Sequence, residues 1–319
     1  MITPRLCAPA YELGEHAESV AGLPELQDAP EDAVALRDFD TYHWSEVPVV
    51  DLMATAVHRT LSKSGVPADR IDMVLLATES LPPGPAGHRE VAELLEATGM
   101  AGATVTSVGL MDCATAVAAV GTAASLVRDG TARNVLVVGG DLADLSTGGE
   151  RVVAGGAAIA SDGAAAALLS ATAPGLPVLA MAHHSAPRLL RADESAQRQL
   201  MSRVDAYREL FARLTALHPV SPRHVSVLPS NFAPDVMRMY LSGAGFGADR
   251  IDLANVARVA HCQGSDPLIS LADRLGEGGS AAPEGARDEV LMLLGAGVSH
   301  LAAVLLGASP LPPAEEGSS

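Results

Sequence analysis

The chain has 319 residues, of which 48% are hydrophobic, so it can bury one large core or the cores of two fused domains. Its net charge of -17 argues against nucleic acid as a partner, because phosphates require lysine and arginine. No apolar stretch reaches the roughly 20 residues of a membrane span, the N-terminus lacks a signal-peptide pattern, and three cysteines make no disulfide framework. We therefore expect a cytoplasmic protein with no membrane partner.

The first part of the chain has the pattern of alternating helices and buried strands. The predicted helices are residues 50–61, 90–98 and 113–128. The predicted strands are residues 73–77, 104–110, 135–138 and 164–169. Clustered prolines and glycines predict a loop over residues 79–89. These elements make up a predicted N-terminal half, residues 1–170.

The second part of the chain has similar elements, and we expect it to form a C-terminal half, residues 171–309. The predicted helices are residues 195–217, 234–242 and 266–275. The predicted strands are residues 178–181, 224–228, 251–256, 290–294 and 301–306. Residues 310–319 are rich in Pro, Glu, Gly and Ser, which predicts a disordered tail.

A short internal repeat favours a duplicated architecture. The pentapeptide Ala-Asp-Arg-Ile-Asp occurs at residues 68–72 and again at 248–252. Each copy follows a predicted helix ended by glycine and precedes an apolar run. Two copies of an alternating α/β unit predict a layered α/β fold, with mixed sheets buried between helices.

Cys113 lies at the most informative position in the chain. A β-prone run ends just before it, and a helix of small residues begins at it. A thiol at such a junction feels the positive end of the helix dipole, which favours the reactive thiolate. The alternative is a packed core cysteine, since free cysteines are among the most buried residues.

Three stretches in the same order resemble the β-ketoacyl-acyl-carrier-protein synthase III family, which has the thiolase fold. Residues 111–116 resemble its cysteine-bearing turn, residues 160–166 its Gly-Asp-Gly-Ala stretch, and residues 295–303 its glycine turn and last strand. The resemblance covers roughly residues 51–306. It implies a thiolase-like fold of two pseudo-duplicated halves and a homodimer.

The chain departs from the condensing members of this family, which use Cys, His and Asn. Residues 228–232 read Leu-Pro-Ser-Asn-Phe where the family has its His motif, so that histidine is absent. His261 stands where the alignment places the family's asparagine. In the family these two groups hold the thioester oxygen during decarboxylation of malonyl-carrier protein. Their loss argues against carbon–carbon condensation.

The remaining residues resemble an acyl-transferring branch of the family found in natural-product pathways, where Cys or Ser, His and Asp replace the condensing trio. This implies that Cys113 is the nucleophile, His261 the general base and Asp266 the residue that orients the base. It also implies an oxyanion hole formed by the backbone N–H groups of Cys113 and Gly297.

Plainer interpretations stand beside these assignments. The alternative for Asp266 is a helix N-cap, and the alternative for His261 is a satisfied polar residue near a core. We expect Ser230 and Asn231 to bind the substrate or a pantetheine arm, or else to hold the turn. No set of ligands has the spacing of a metal site, so no metal is predicted.

We therefore expect an acyltransferase of secondary metabolism, in a setting such as polyketide biosynthesis. It would take an acyl group from a carrier-protein or CoA thioester onto Cys113 and pass it to a hydroxyl, amine or thiol acceptor. Apart from this phosphopantetheinyl or CoA substrate, no cofactor is predicted. The alternatives are a decarboxylative β-ketoacyl synthase and a non-catalytic partner of an active ketosynthase.

Overall fold

The computed structural model of the chain describes residues 2–27, 37–190, 195–276 and 290–313. Its strands are β1 (Arg5–Leu13), β2 (His16–Ser19), β3 (Thr41–Trp44), β4 (Met73–Ala77), β5 (Thr104–Val108), β6 (Asn134–Asp141), β7 (Val152–Val153), β8 (Ala158–Ile159), β9 (Gly163–Ser170), β10 (Leu176–Ser185), β11 (Val225–Pro229), β12 (Val290–Ala296) and β13 (His300–Gly307). Its helices are α1 (Pro24–Gln27), α2 (Val49–Ser64), α3 (Pro85–Ala97), α4 (Thr115–Asp129), α5 (Ala143–Ser146), α6 (Ala196–Leu217), α7 (Pro234–Gly243), α8 (Val256–Val259) and α9 (Asp266–Leu275). Within these ranges no helix has the length and apolar character to span a membrane.

One mixed sheet of nine strands runs in the order β11-β12-β13-β10-β1-β9-β6-β4-β5. In its N-terminal part β5, β4 and β6 are parallel, and β9 is antiparallel to both β6 and β1. In its C-terminal part β11 and β12 are parallel, and β13 is antiparallel to both β12 and β10. The two parts meet where Arg5 and Leu6 pair with Pro177 and Leu176.

Both parts of the sheet have the same topology. Ile251 forms a parallel bridge with Val227 and so occupies the place of a third strand in the C-terminal part. Numbered along the chain, the strands of each part then lie in the order third, second, fourth, fifth, first. The predicted α/β class is confirmed, and the strand order shows the predicted duplication. The boundary between residues 170 and 171 stays a prediction; it falls between β9 and β10.

The pentapeptide repeat has a local explanation. Both copies form a single 3-10 turn, Ala68–Arg70 and Ala248–Arg250, between a helix and the next extended segment. The first copy leads from α2 into β4, the second strand of its part, whereas the second leads from α7 to Ile251, in the third position. The two copies therefore form the same kind of connection, but they lie before different strand positions. The duplication of the chain is seen in the shared strand order of the two parts and not in this pentapeptide.

Helices α4 and α9 form a central layer, because each contacts strands of both parts of the sheet. Small residues allow this close packing: a Cβ at Gly121 of α4 would lie 2.7 Å from the sulfur of Met181. The outer layers are α2 with α3 on the N-terminal part, and α6 with α7 on the C-terminal part. The central core includes Leu75, Val117, Val120, Leu268, Leu271 and Val304.

Two predicted elements need correction. The loop expected over residues 79–89 ends early, because α3 begins at Pro85. Proline is favoured in the first turn of a helix, where its missing N–H is not needed. The strand expected over residues 251–256 consists of the single bridge at Ile251, and α8 follows at Val256–Val259.

The two ends of the chain also differ from expectation. The sequence pattern does not predict strand β1, because Pro9 and a register shift between Cys7 and Ala10 interrupt it. The prediction of a disordered tail over residues 310–319 is wrong for its first residues, since Leu311 pairs with Gly175. Residues 314–319 lie outside the described residues.

Candidate active site

Cys113 lies in a sharp turn between β5 and α4, which we call the cysteine elbow (residues 110–115). The turn holds Leu110 at a φ of 61° and Asp112 at 48°, both in the left-handed region that such residues rarely adopt. A 3-10 turn, Asp112–Ala114, then leads into the helix. Backbone strain of this kind is typical of functional sites. In this turn Cys113 is only 9% exposed, and it lines a cavity.

The glycine turn at the end of β12 packs directly on the cysteine elbow. A Cβ at Gly295 would lie 2.8 Å from Cα of Ala114 and 2.9 Å from the carbonyl oxygen of Cys113. A Cβ at Gly297 would lie 2.7 Å from the carbonyl oxygen of Met111. Only residues without a side chain permit this approach of one backbone to another.

His261 lies in a second turn of similar shape, the histidine elbow (residues 260–266). Ala260 and Gln263 have φ values of 56° and 51°, and the 3-10 turn Gln263–Ser265 leads into α9. The His261 N–H donates to the carbonyl of Ile159 at 2.8 Å, which fixes the backbone of the ring-bearing residue. The elbow therefore holds its imidazole at a defined place beside the cavity.

The two elbows bring Cys113, His261 and Asp266 into one hydrogen-bonded series. The Cys113 Sγ lies 3.0 Å from His261 Nε2, and His261 Nδ1 lies 2.5 Å from Asp266 Oδ2. The side chains of His261 and Asp266 are 1% and 0% exposed. A buried carboxylate that accepts from Nδ1–H fixes the tautomer in which Nε2 can take the thiol proton.

The charges around the ring control its protonation. Burial by itself lowers the pKa of His261, but the neighbouring charges of Cys113 and Asp266, with their hydrogen bonds, raise it well above its ordinary value. The site therefore favours the protonated imidazolium form of His261.

Asp266 does more than cap a helix. Its Oδ1 accepts from the N–H of Cys262 at 2.7 Å, and its Oδ2 accepts from the N–H of Asn231 at 2.7 Å. Both donors precede α9 in the chain, and neither belongs to the first turn of that helix. The carboxylate is thus held toward His261.

Ser230 and Asn231 are not where we expected them. They are 0% and 1% exposed and do not line the cavity, so the prediction that they bind substrate is corrected. Ser230 Oγ accepts from the N–H of Ala296, and Asn231 Nδ2 donates to the carbonyl of Ala260 at 2.7 Å. They follow β11 directly, where the buried backbone needs such partners. Asn231 also supports Asp266, because its backbone N–H donates to the carboxylate.

The oxyanion hole also differs from expectation. Gly297 lines the cavity, but its N–H donates to the carbonyl of His300 at 2.8 Å and closes the β12–β13 turn. The next N–H, of Val298, donates to Asp112 Oδ2 at 3.0 Å. The Cys113 N–H has no backbone acceptor among the described residues. Of the two predicted donors, only Cys113 is therefore available.

The cavity in front of the sulfur has a volume of about 530 Å³. One wall is apolar, formed by Val153, Ala157, Phe232, Val236 and Tyr240. Polar residues that the sequence did not single out complete it, among them Thr78, Glu79, Asp141, Arg203 and Gln263. They come from segments far apart in the chain and carry no recognisable motif, so only the fold brings them together.

Asp141 is a buried carboxyl group at the end of β6 in this cavity. Its Oδ1 accepts from the N–H of Glu79 at 2.8 Å and from the hydroxyl of Ser80 at 2.9 Å. Burial raises the pKa of Asp141 to about 6, although these hydrogen bonds oppose the shift. The group thus fixes the loop that follows β4 as one wall of the cavity.

Comparisons with known proteins agree with this architecture. Residues 110–187 match the family model of 3-oxoacyl-[acyl-carrier-protein (ACP)] synthase III. FabH from Pseudomonas aeruginosa PAO1 aligns with a TM-score of 0.74 at 19% identity, over 97% of this chain and 100% of its own. ChlB3, described as an acyltransferase, aligns with a TM-score of 0.79 at 19% identity, over 98% of this chain and 99% of its own.

A variant of OleA from Xanthomonas campestris aligns with a TM-score of 0.76 at 13% identity, over 96% of this chain and 98% of its own. No curated protein matches the sequence significantly. At identities of 13% and 19% these comparisons show a shared fold, and they confirm the predicted thiolase-like fold. The match to the synthase III family model is confined to residues 110–187, the segment that contains Cys113.

Proposed function

We propose that the protein is an acyltransferase that works through an acyl-enzyme on Cys113. The observation that carries the proposal is the buried series of Cys113, His261 and Asp266, with contacts of 3.0 Å and 2.5 Å, at the wall of a cavity. A cysteine, a base within hydrogen-bond reach and a carboxylate that orients the base form the arrangement used in acyl transfer.

The geometry supports transfer in two stages. His261 takes the proton of Cys113, the thiolate attacks the carbonyl carbon of an acyl thioester, and the departing thiol receives that proton. An acceptor hydroxyl, amine or thiol then gives its proton to His261 and attacks the acyl carbon. The C–S bond breaks, and His261 returns the proton to the Cys113 thiolate. Asp266 binds Nδ1 and so keeps the Nε2 atom of the imidazole directed toward the sulfur in both stages.

Transfer is favoured over condensation because of what surrounds Asp266. Asn231 donates to this carboxylate instead of facing the thioester site, so the groups behind His261 serve to hold the base. One similar structure, ChlB3, is described as an acyltransferase. Decarboxylative condensation is the second candidate, because the matched family and FabH are named as 3-oxoacyl synthases.

Intact-mass spectrometry with a panel of acyl-CoA and acyl-carrier-protein thioesters tests the proposal. We expect the wild-type protein to gain the mass of one acyl group and Cys113→Ala to gain none. Cys7→Ser is the matched control, because burial raises the pKa of the Cys7 thiol to about 12 and keeps it unreactive.

Acylation that persists in Cys113→Ala contradicts the assignment of the nucleophile. A chase with hydroxyl, amine and thiol acceptors should remove the acyl group from the wild-type protein. Release of carbon dioxide from a malonyl thioester, with a β-keto product, would instead establish condensation. The 3.0 Å contact between Cys113 and His261 weighs against a non-catalytic partner.

We further propose a cytoplasmic homodimer that serves a natural-product pathway, with a CoA or carrier-protein thioester as donor and no separate cofactor. Strand β5 lies at one edge of the sheet, and Thr104, Thr106 and Ser107 on it are exposed. An edge strand has unpaired backbone groups that a second copy can use. Analytical ultracentrifugation should give twice the mass of the chain, and a monomer at micromolar concentration contradicts the dimer.

A further inference from the structure

Gln263 lies in the cavity next to the reactive sulfur. It belongs to the histidine elbow, two residues after His261, in a left-handed backbone conformation with a φ of 51°. Its side chain lines the same cavity as Cys113 and His261, and its Oε1 lies 3.5 Å from the Cys113 Sγ. The strained backbone therefore aims an amide group at the place where acyl transfer would occur.

The amide nitrogen of Gln263 has no partner. Its Nε2 is buried and makes no hydrogen bond within the described part of the chain. An unsatisfied buried donor is unfavourable, and in a native protein it calls for an explanation. Half a turn about the last bond of the side chain exchanges the amide oxygen and nitrogen. The donor then points toward Sγ and the negative charge that forms beside it.

The backbone N–H groups of the glycine turn that face this side of the cavity are occupied. The N–H of Gly297 is bound to His300, and that of Val298 to Asp112, so both are held within the glycine turn. The Cys113 N–H is available, but it is a single donor. Oxyanion holes combine backbone N–H groups with side-chain amides, glutamine among them. Gln263 is a side chain in reach that carries such a donor.

We propose that the side-chain amide of Gln263 donates a hydrogen bond to the oxyanion and completes the hole with the Cys113 N–H. This rests on the proposed acylation of Cys113. When Sγ bonds to the carbonyl carbon, the π pair of the C=O bond moves to oxygen, where Gln263 binds it. When that pair returns, the bond to the leaving group breaks, and a leaving thiolate takes the proton that His261 received from Cys113.

Two reactions of the same sulfur separate this role from a structural one. Acetylation by p-nitrophenyl acetate passes through an oxyanion and releases p-nitrophenolate, whereas alkylation by iodoacetamide forms no oxyanion. In Gln263→Met, which keeps the side-chain length, we expect acetylation to slow by about 10²–10³-fold. Alkylation, which reports the thiolate, should stay within about twofold of wild type. Cys113→Ala gives the background rate of both.

Gln263→Glu is the second variant, since it keeps the size and replaces the donor with a carboxylate. We expect it to slow acetylation at least as much as Gln263→Met, while Gln197→Met, an exposed position on α6, should leave both rates unchanged. Unchanged acetylation in Gln263→Met overturns the proposal, and so does an equal loss in both reactions, which would mean that Gln263 only positions the Cys113–His261 pair. If no acyl thioester acylates the wild-type protein, the proposed function fails, but the p-nitrophenyl acetate comparison still decides the role of Gln263.

Discussion

The cysteine elbow and the histidine elbow are built to the same plan but held in different ways. Each follows the third position of its part of the sheet, contains two non-glycine residues with positive φ, and leads through a 3-10 turn into a central helix, α4 or α9. The cysteine elbow is fixed by close backbone packing against Gly295 and Gly297. The histidine elbow is fixed by hydrogen bonds to the buried carboxylate of Asp266.

The difference follows from what each side chain has to do. A sulfur nucleophile needs a fixed place and free space in front of it, which steric packing from behind provides. An imidazole that exchanges a proton twice must keep one tautomer and one orientation while its charge changes. Hydrogen bonds to a carboxylate provide this, because they respond to the charge of the ring.

Loss of the His261 ring should have the largest effect on the acylation rate, because the proposed proton transfer passes through its contact with Cys113. We expect His261→Ala to slow acylation of Cys113 by about 10⁴-fold, the upper end of the effect of a general base. The rate of acyl-enzyme formation by intact mass measures this. His58→Ala, exposed on α2, is the control, and a rate like that of wild type in His261→Ala contradicts the role of the base.

Loss of the Asp266 carboxylate should slow acylation less than loss of the His261 ring. In Asp266→Asn we expect acylation to slow by about 10²–10³-fold, the lower part of the range for general-base catalysis, because the ring loses its orienting acceptor. Without the negative charge the pKa of His261 should also fall, so the pH profile of iodoacetamide alkylation should move. Asp235→Asn, 85% exposed on α7, should change neither rate nor profile. A slower rate with an unmoved profile would reduce Asp266 to a packing role.

The close packing at the cysteine elbow should make the free energy of unfolding sensitive to an added side chain at Gly295. In Gly295→Ala the new Cβ would meet backbone atoms of Ala114 and Cys113 at 2.8 Å and 2.9 Å, and these cannot swing aside. We expect the free energy of unfolding to fall by about 1–3 kcal/mol, as in other overpacked cores. Urea unfolding of Gly102→Ala is the comparison, since a Cβ at Gly102 meets nothing within 4 Å. Equal stability of the two variants contradicts the close packing.

The charge of the histidine elbow should give the smallest effect, a pH dependence of stability. The pKa of His261 is raised above its ordinary value of 6.5, so the folded state holds this proton more tightly than the unfolded chain. The resulting stabilisation is complete below about pH 6.5 and is lost as pH rises through the raised folded-state value.

We therefore expect the difference in unfolding free energy between wild type and His261→Gln to shrink above pH 6.5. The slope cannot exceed about 1.4 kcal/mol per pH unit for one proton. Urea titrations at constant ionic strength measure it. A difference that grows with pH would mean that the ring is buried in its neutral form.

Much of the fold could be predicted because it depends on local patterns. The helices α2, α4 and α7 and the strands β4, β6 and β13 follow from apolar periodicity and from glycines at their ends. Strand β1 could not, since Pro9 and a bulge interrupt its pattern and only pairing with β9 makes it a strand. The pattern does not predict the start of α3, because a proline breaks a helix interior but is also favoured in a first turn, where Pro85 lies.

The site divides in the same way. The sequence by itself determined a cysteine where a strand gives way to a small-residue helix, and a histidine five residues before an aspartate, because short segments encode such turns. Only the tertiary structure decided that the sulfur and the ring, 148 residues apart, lie 3.0 Å from each other. It also decided that Asn231 donates to Asp266 and that Gln263 lies beside the sulfur. The N–H of Gly297 is hydrogen-bonded within its own turn, which the sequence does not reveal. A hydrogen bond depends on distance and direction between atoms, and for residues far apart in the chain only the packed sheets and helices set these.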